Sequence, residues 1–148
     1  MADAAFLRID ADVHRLKDVR SFVRAESRAH GTDNASIEDL VQAVDEWVTN
    51  VIVHGYRGQP GPIEIELVPE GSEIVVHIRD QAPAFDPATA PPFDPSLPLE
   101  RRPAGKMGIH LIRELCDRFE YRVAVGGGNE LKLGRSTRTP AKVTGGKA

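Results

Sequence analysis

SIEDLVQAVDEWVTNVIVHGY, residues 36 to 56, is the stretch around which the chain is organised. Its apolar residues recur at three- and four-residue steps, which predicts one amphipathic helix with a single apolar stripe in the core. Ser36 followed by Asp39 fits a capping box at the helix start, and Gly55 stands where a left-handed C-terminal residue is expected. The stripe consists of Ile37, Leu40, Val41, Val44, Trp47, Val48 and Val51.

Glu46 and Asn50 lie four positions apart on this predicted helix, so they share a face roughly opposite to the apolar stripe. A carboxylate and an amide on one rigid face can order a hard cation, or hold a hydroxyl for proton abstraction. An ordinary solvated helix face is the alternative interpretation of the same pair.

The segments on either side read as further helices and short strands. Residues 5 to 9 predict a strand, followed by a helix capped by Asp10 or Asp12 with Val13 among its inward residues. Alternating residues in 63 to 67 and 73 to 80 predict a β-hairpin, and the last part predicts a helix and two strands joined by glycines 126 to 128. This order favours an α+β fold, with helices layered on one face of a mainly antiparallel sheet.

Residues 81 to 105 have no periodicity and contain seven of the 11 prolines. Long aperiodic loops in small domains are usually functional lids or disordered segments, so we expect residues 83 to 103 to form a lid. Asp80 precedes this segment, and Gly105 and Gly108 flank a helix start after it. Glycines at a helix N-terminus let backbone N–H groups approach an anion such as phosphate.

Composition is that of a soluble globular protein of 148 residues, with 41% hydrophobic and 28% charged residues. No apolar run approaches the ~20 residues that span a bilayer, and no secretory signal is visible, so we expect a cytoplasmic protein without a membrane partner. The net charge is −3, and four cations without an acid in residues 135 to 148 leave −7 on residues 1 to 134. Nucleic acid is therefore an unfavourable partner, and we predict one domain over 1–134 followed by a disordered basic tail over 135–148.

Three motifs together resemble the GHKL ATP-binding superfamily: Glu-x-x-x-Asn on a helix, Asp80 followed by Phe85, and G-x-x-G-I-x-L-I opening a helix. The segments WVTNVIVHGY, IRDQAPAFDP and GKMGIHLIRELCDRFEY are most similar to its anti-sigma-factor serine kinases. The resemblance covers residues 5 to 134. It implies a two-layer α/β sandwich of the GHKL type with an ATP lid.

The resemblance also implies ATP and Mg²⁺ as ligands and assigns roles to residues. Glu46 would be the general base, Asn50 the Mg²⁺ ligand, and Asp80 the acceptor for the adenine amino group. The remaining residues of the implied nucleotide site are Ala82, Arg101, Arg102, Gly105, Lys106, Met107 and Gly108. Three residues depart from the family pattern: Ala82 and Lys106 replace frequent glycines, and Lys132 takes the late-strand position where a threonine often helps to hold adenine.

As function, the resemblance implies an ATP-dependent serine kinase and anti-sigma factor, which sequesters a sigma factor and phosphorylates an antagonist protein. A homodimer, and a partner surface on the first strand and helix, are expected with it. Two alternatives remain: a non-catalytic anti-sigma or adaptor module that retains only ATP binding, and a detached catalytic domain of a sensor histidine kinase. The register of Glu46 with Asn50 favours catalysis over the adaptor, and the Asn-to-His-to-Tyr run disfavours the sensor kinase.

Overall fold

The computed structural model describes residues 3–85 and 106–139. Their strands are β1 (Ala5–Asp10), β2 (Pro62–Glu70), β3 (Glu73–Asp80), β4 (Arg118–Val123) and β5 (Asn129–Ser136). Their α-helices are α1 (Leu16–Ala29), α2 (Asn34–Asn50) and α3 (Lys106–Leu115), with a 3₁₀ turn at Val13–Arg15 and a π-helical turn at Val51–Gly55.

The described strands form one antiparallel sheet in the order β1-β2-β3-β5-β4. The predicted hairpin is confirmed, since β2 pairs with β3 in the register Ile65 opposite Ile78. One face of the sheet packs its aliphatic side chains on the helices, and the other face is lined mainly by charged side chains. The predicted α+β layering, with helices on one face, is therefore confirmed.

Helix α2 is the centre of the helical layer and contacts both α1 and α3. All seven residues of its predicted apolar stripe are buried. Burying one such aliphatic side chain contributes roughly 1.5–3 kcal/mol, so the stripe anchors α2 on the sheet. On the α1 side, Arg20 donates to Asp45 at 2.8 Å and Arg24 donates to Glu38 at 2.9 Å.

Both ends of α2 differ from the prediction. The N-cap is Asp33, whose carboxylate accepts the N–H of Ser36 at 2.8 Å, so the capping box predicted at Ser36 was wrong. At the other end the chain widens into the π turn, where Tyr56 N–H donates to the carbonyl of Val51. Gly55 lies inside this turn with an ordinary negative φ, and the left-handed residues are Arg57 (φ 54°) and Gly58 (φ 82°). Val13, predicted to point inward, is 47% exposed.

The C-terminal end of the fold extends further than predicted. Strand β5 continues to Ser136, and Arg135 is buried, with its guanidinium 2.8 Å from Asp39 and 3.5 Å from Asp117. Beyond it, Thr139 N–H donates to Asp33 at 2.6 Å. The prediction of disorder was therefore wrong for residues 135 to 139, and the rest of the predicted tail lies outside the described residues. We call residues 135–139 the C-terminal clasp.

Candidate active site

Glu46 and Asn50 project from the last turns of α2 toward the first turn of α3. Gly108 lies directly against them, because a Cβ placed on Gly108 would be 2.8 Å from Oε2 of Glu46 and 3.3 Å from Nδ2 of Asn50. Both side chains are only partly exposed. The alternative interpretation of a freely solvated helix face therefore does not fit, since α3 covers this face.

Burial changes the chemistry of both groups. The pKa of the Glu46 carboxyl is raised from its ordinary value, first by desolvation and second by the neighbouring charge of Asp45. A raised pKa makes a carboxylate a stronger base at the pH where it is ionised. Nδ2 of Asn50 is buried without a hydrogen-bond partner among the described residues, so its amide is available to a ligand.

Asp80 ends β3 and is 4% exposed. Its Oδ1 accepts the Ala82 N–H and Nδ2 of Asn129, both at 2.9 Å, whereas Oδ2 is buried with no partner in the described part of the chain. Desolvation raises the pKa of this carboxyl, and the hydrogen bonds from Asn129 and Ala82 oppose the rise. A buried acceptor of this kind is expected to take a donor from a ligand.

Asn129 begins β5 and is directly opposite Asp80 in the sheet register. Its Oδ1 accepts the hydroxyl of Tyr121 from β4 and the Phe85 N–H at 2.8 Å. The amide thus ties Asp80 to the chain that leaves β3. Gly128, just before it, packs on the Asp80 carbonyl so closely that a Cβ there would clash with that oxygen.

A cavity of 100 Å³ is lined by one residue of each group, Asn50 and Asn129. Its lining residues come from α2, the π turn, the chain after β3 and the start of β5: Trp47, Asn50, Val51, His54, Gly55, Phe85 and Asn129. The π turn brings His54 and Gly55 to this wall, and π-helical turns of this kind occur frequently at functional sites. Asn50 and Asn129 thus line one cavity although they are distant in sequence.

Comparison with known proteins identifies the family of this fold. A sequence model of the histidine kinase-like ATPase domain matches residues 9–135. The chain belongs to the histidine kinase-like ATPase domain family. The resemblance predicted from the motifs is confirmed at this level.

Relatives of this ATPase domain include proteins named serine-protein kinase RsbW. Those of Bacillus cereus (strain AH820) and Bacillus anthracis are each 26% identical over 115 residues, which covers 75% of this chain and 72% of the relative. The crystal structure of the RsbU and RsbW domains of Rv1364c from Mycobacterium tuberculosis matches with a TM-score of 0.63 at 19% identity. That match covers 94% of this chain and 34% of the solved chain, so the ATPase domain spans about a third of the solved chain and shares its fold.

The predicted site residues of the ATPase domain fall into three groups. Glu46, Asn50 and Gly108 come together at the α2–α3 contact. Asp80 is hydrogen-bonded to Asn129 and Ala82 packs on Gly55, and Asn129 and Gly55 line the cavity. Lys106 and Met107 begin α3, but their side chains lie outside the described residues. Arg101, Arg102, Gly105 and most of the predicted lid also lie outside them.

Two substitutions in the family pattern have structural explanations. The buried Ala82 packs on Gly55, where a Cβ would lie 3.0 Å from the Ala82 methyl group, and its φ is not left-handed. The expectation for Lys132 was wrong. In the sheet register it lies opposite His77 of β3 and Glu120 of β4, on the charged face of the sheet. Asn129, which the sequence analysis missed, faces Asp80 instead, because residues three apart on a strand point to opposite faces.

Other parts of the ATPase domain offer less chemistry. Burial raises the pKa of the Cys116 thiol to about 12, so this cysteine stays protonated and unreactive. Among residues 3–85 and 106–139 no cluster of three or more metal-ligating side chains is present. In the same residues no helix is both long and apolar enough to cross a membrane.

Proposed function

We propose that this chain binds Mg·ATP, sequesters a sigma factor and transfers the γ-phosphoryl group to a serine of an anti-sigma-factor antagonist. The observation that carries the proposal is the convergence of Glu46 and Asn50 with the start of α3, beside a cavity that is lined by Asn129, the hydrogen-bond partner of Asp80. The printed names of its relatives, serine-protein kinase RsbW, support the same reaction class.

The residues present fit a nucleotide. The unpartnered Oδ2 of Asp80 would accept the exocyclic amine of adenine, and the first turn of α3 would face the phosphates with its free N–H groups. The Asn50 amide, unpartnered at Nδ2 among the described residues, would supply its oxygen to Mg²⁺. Bound there, Mg²⁺ would neutralise phosphate charge during transfer.

Glu46 would take the proton of the serine hydroxyl. The serine oxygen forms a bond to the γ-phosphorus, the bond from that phosphorus to the bridging oxygen breaks, and ADP leaves. Because Glu46 is held between α2 and α3, its carboxylate needs little reorganisation to receive the proton. Lys106, Arg101 or Arg102 would balance the charge of the transferring group, in line with the family resemblance.

The test is transfer of radiolabelled γ-phosphate to a purified antagonist with its serine. We expect Glu46→Gln to lower the transfer rate by ~10²- to 10⁴-fold with ATP affinity nearly unchanged, the range for loss of a general base. Asn50→Ala should instead weaken ATP binding in the presence of Mg²⁺. Wild-type rates in Glu46→Gln would refute its role, and ATP binding without any transfer by wild type would favour a non-catalytic anti-sigma module.

The partner surface is proposed on β1 and the 3₁₀ turn that follows it. Phe6 is 70% exposed and Val13 is 47% exposed there, and exposed large apolar side chains are common at protein contacts. We propose that a sigma factor binds this region and that the protein forms a homodimer. Replacing both residues with serine should abolish co-elution with the sigma factor while leaving ATP binding intact.

A further inference from the structure

The two carboxylate oxygens of Asp80 differ in their hydrogen bonding. Oδ1 accepts two hydrogen bonds from within the protein, and Oδ2 accepts none from the described residues although it is buried. A buried acceptor left without a partner costs about 1–3 kcal/mol. The arrangement therefore leaves one defined atom to receive a donor from outside the protein.

Asn129 is fixed at both ends of its amide. Its Oδ1 accepts from Tyr121 and from the Phe85 N–H, and its Nδ2 donates to Asp80. Rotating the amide by half a turn would place its oxygen against the Asp80 carboxylate and its NH₂ group against two donors. Nδ2 also donates to the Pro83 carbonyl at 3.3 Å. Only one orientation satisfies all four partners, so the donor toward Asp80 is held in place.

The electrostatic surroundings make this donor important for the charge of Asp80. Its described polar neighbours include the Tyr56 phenol just after the π turn, which accepts the Gln81 N–H, and Tyr121 from β4, which donates to Asn129. The charged residues that line a surface pocket together with Asp80 are Arg8, Glu64, Arg79 and Glu130. His54 lines the candidate cavity together with Asn129, the partner of Asp80. Asp80 makes no ion pair within residues 3–85 and 106–139, so amide donors rather than a cation stabilise its ionised form.

We propose that Asn129 is a positioning residue that holds Oδ1 of Asp80 and thereby presents Oδ2, ionised, to a base that carries an exocyclic amine. This inference rests on the proposed nucleotide binding. Adenine supplies such an N–H donor. Hypoxanthine has a carbonyl oxygen at the same position, which would face the carboxylate as a second acceptor, so the site would select ATP over ITP through Asn129 as well as Asp80.

The removal of Asn129 has two consequences that a purely structural role would not produce. Without the Nδ2 donor, the pKa of the Asp80 carboxyl rises further, because its desolvation is less compensated. The carboxyl then protonates at a higher pH, loses its acceptor role for adenine and gains an O–H that can donate to hypoxanthine. As the pH is lowered, ATP binding by the variant should therefore begin to weaken at a higher pH than in the wild type. The preference for ATP over ITP should also shrink.

The experiment is calorimetric titration of the full chain with Mg·ATP and with Mg·ITP from about pH 5 to pH 8, the range in which most proteins remain folded. The variant is Asn129→Leu, of similar volume, and the control is Lys132→Gln, on the same strand but the opposite face. We expect Asn129→Leu to weaken ATP binding by about tenfold or more, the scale of one buried hydrogen bond, and to weaken ITP binding less. Lys132→Gln should match the wild type.

The outcomes separate the two levels of the proposal. If the wild type binds no ATP, the proposed function is wrong and this inference is wrong with it. If the wild type binds ATP but Asn129→Leu keeps the wild-type ATP-to-ITP ratio and pH profile, only the role of Asn129 is wrong. Should Asn129→Leu fail to fold, Asn129→Ala decides, because it removes the donor without adding bulk: a reduced ATP-to-ITP ratio supports the proposal, and an unchanged ratio and pH profile overturn it.

Discussion

At the residue scale, the raised pKa of Glu46 predicts the acid limb of the pH–rate profile for phosphoryl transfer. Burial keeps its carboxyl protonated to a higher pH than the ordinary value of 4.5, and a general base must be unprotonated. The transfer rate should therefore fall as the pH is lowered through this raised pKa. Initial rates at saturating Mg·ATP measure it.

A neighbouring residue provides the control for this limb. Asp45 contributes to the rise in the Glu46 pKa through its charge, so Asp45→Asn should move the limb to lower pH. Glu46→Gln, which has no titrating group, should leave a slow rate with no such limb. A limb that stays in place in both variants would assign it to another group.

Gly108→Ala tests the contact between α3 and the two α2 side chains. The added methyl would lie 2.8 Å from Oε2 of Glu46, so the carboxylate must move. Because a misplacement of about 1 Å can cost ~10²-fold in rate, we expect a loss of that order in transfer. Thermal stability should not fall comparably, since alanine is favoured over glycine in helices by about 1 kcal/mol.

The changes in transfer rate and in thermal stability of Gly108→Ala together show whether Gly108 places Glu46 or only packs the helices. If stability falls steeply and the residual activity per folded molecule is normal, Gly108 serves helix packing rather than the placement of Glu46.

The pairing of Glu46 with Asn50 was predictable, because four-residue spacing on a helix fixes a shared face. Asn129 was not, because it is 49 positions from Asp80, with α3 and β4 in between, so the register of β3 and β5 cannot be counted from a turn.

At the element scale, the glycine turn between β4 and β5 packs against the backbone of Asp80. Gly128 has φ +93°, and a Cβ there would overlap the Asp80 carbonyl oxygen, whereas Gly127 has φ +101° and no described atom within 4 Å of such a Cβ. Gly127→Ala should lower the free energy of unfolding by about 1–2 kcal/mol through backbone strain alone. Gly128→Ala adds a backbone clash and should cost about 2–5 kcal/mol.

Chemical denaturation of the two variants measures this difference. Gly128→Ala should also weaken ATP binding, because the clash displaces the backbone of Asp80, and Gly127→Ala should not. Equal destabilisation by the two substitutions would show that the turn relaxes without moving β3.

Elements whose patterns are local were predicted well, and their ends less so. The hairpin β2–β3 followed from alternation on both sides of a short turn. The start of α2 was misplaced because its cap, Asp33, is also held by Thr139 from the far end of the chain. The π turn was not predicted, because the apolar spacing of residues 36 to 51 is the same for an α-helix that ends in a wider turn.

At the scale of the whole molecule, the C-terminal clasp joins β5, α2 and the end of α3. Arg135→Ala would leave Asp39 and Asp117 without their shared cation, and both carboxylates are partly exposed. Breaking a fully buried pair costs ~3–5 kcal/mol, so we expect about 1–3 kcal/mol here. The exposed pair Arg8–Glu64 is the matched control, and Arg8→Ala should cost about 0–1 kcal/mol.

Urea unfolding of both variants tests the clasp. If Arg135→Ala lowers the free energy of unfolding no more than Arg8→Ala does, the ion pairs of Arg135 do not stabilise the fold. The basic composition of this segment predicted disorder because sequence does not reveal that Asp33, Asp39 and Asp117 converge where the strand ends.

The position of Trp47 gives the molecule a built-in optical reporter. It is the single tryptophan of the chain, it lines the candidate cavity, and its ring lies 6.2 Å from the Tyr121 ring. Its emission therefore arises from one known place, so quenching or a wavelength shift on addition of a nucleotide would come from that wall of the cavity. Stopped-flow fluorescence of the unlabelled protein can thus time the arrival and departure of a ligand.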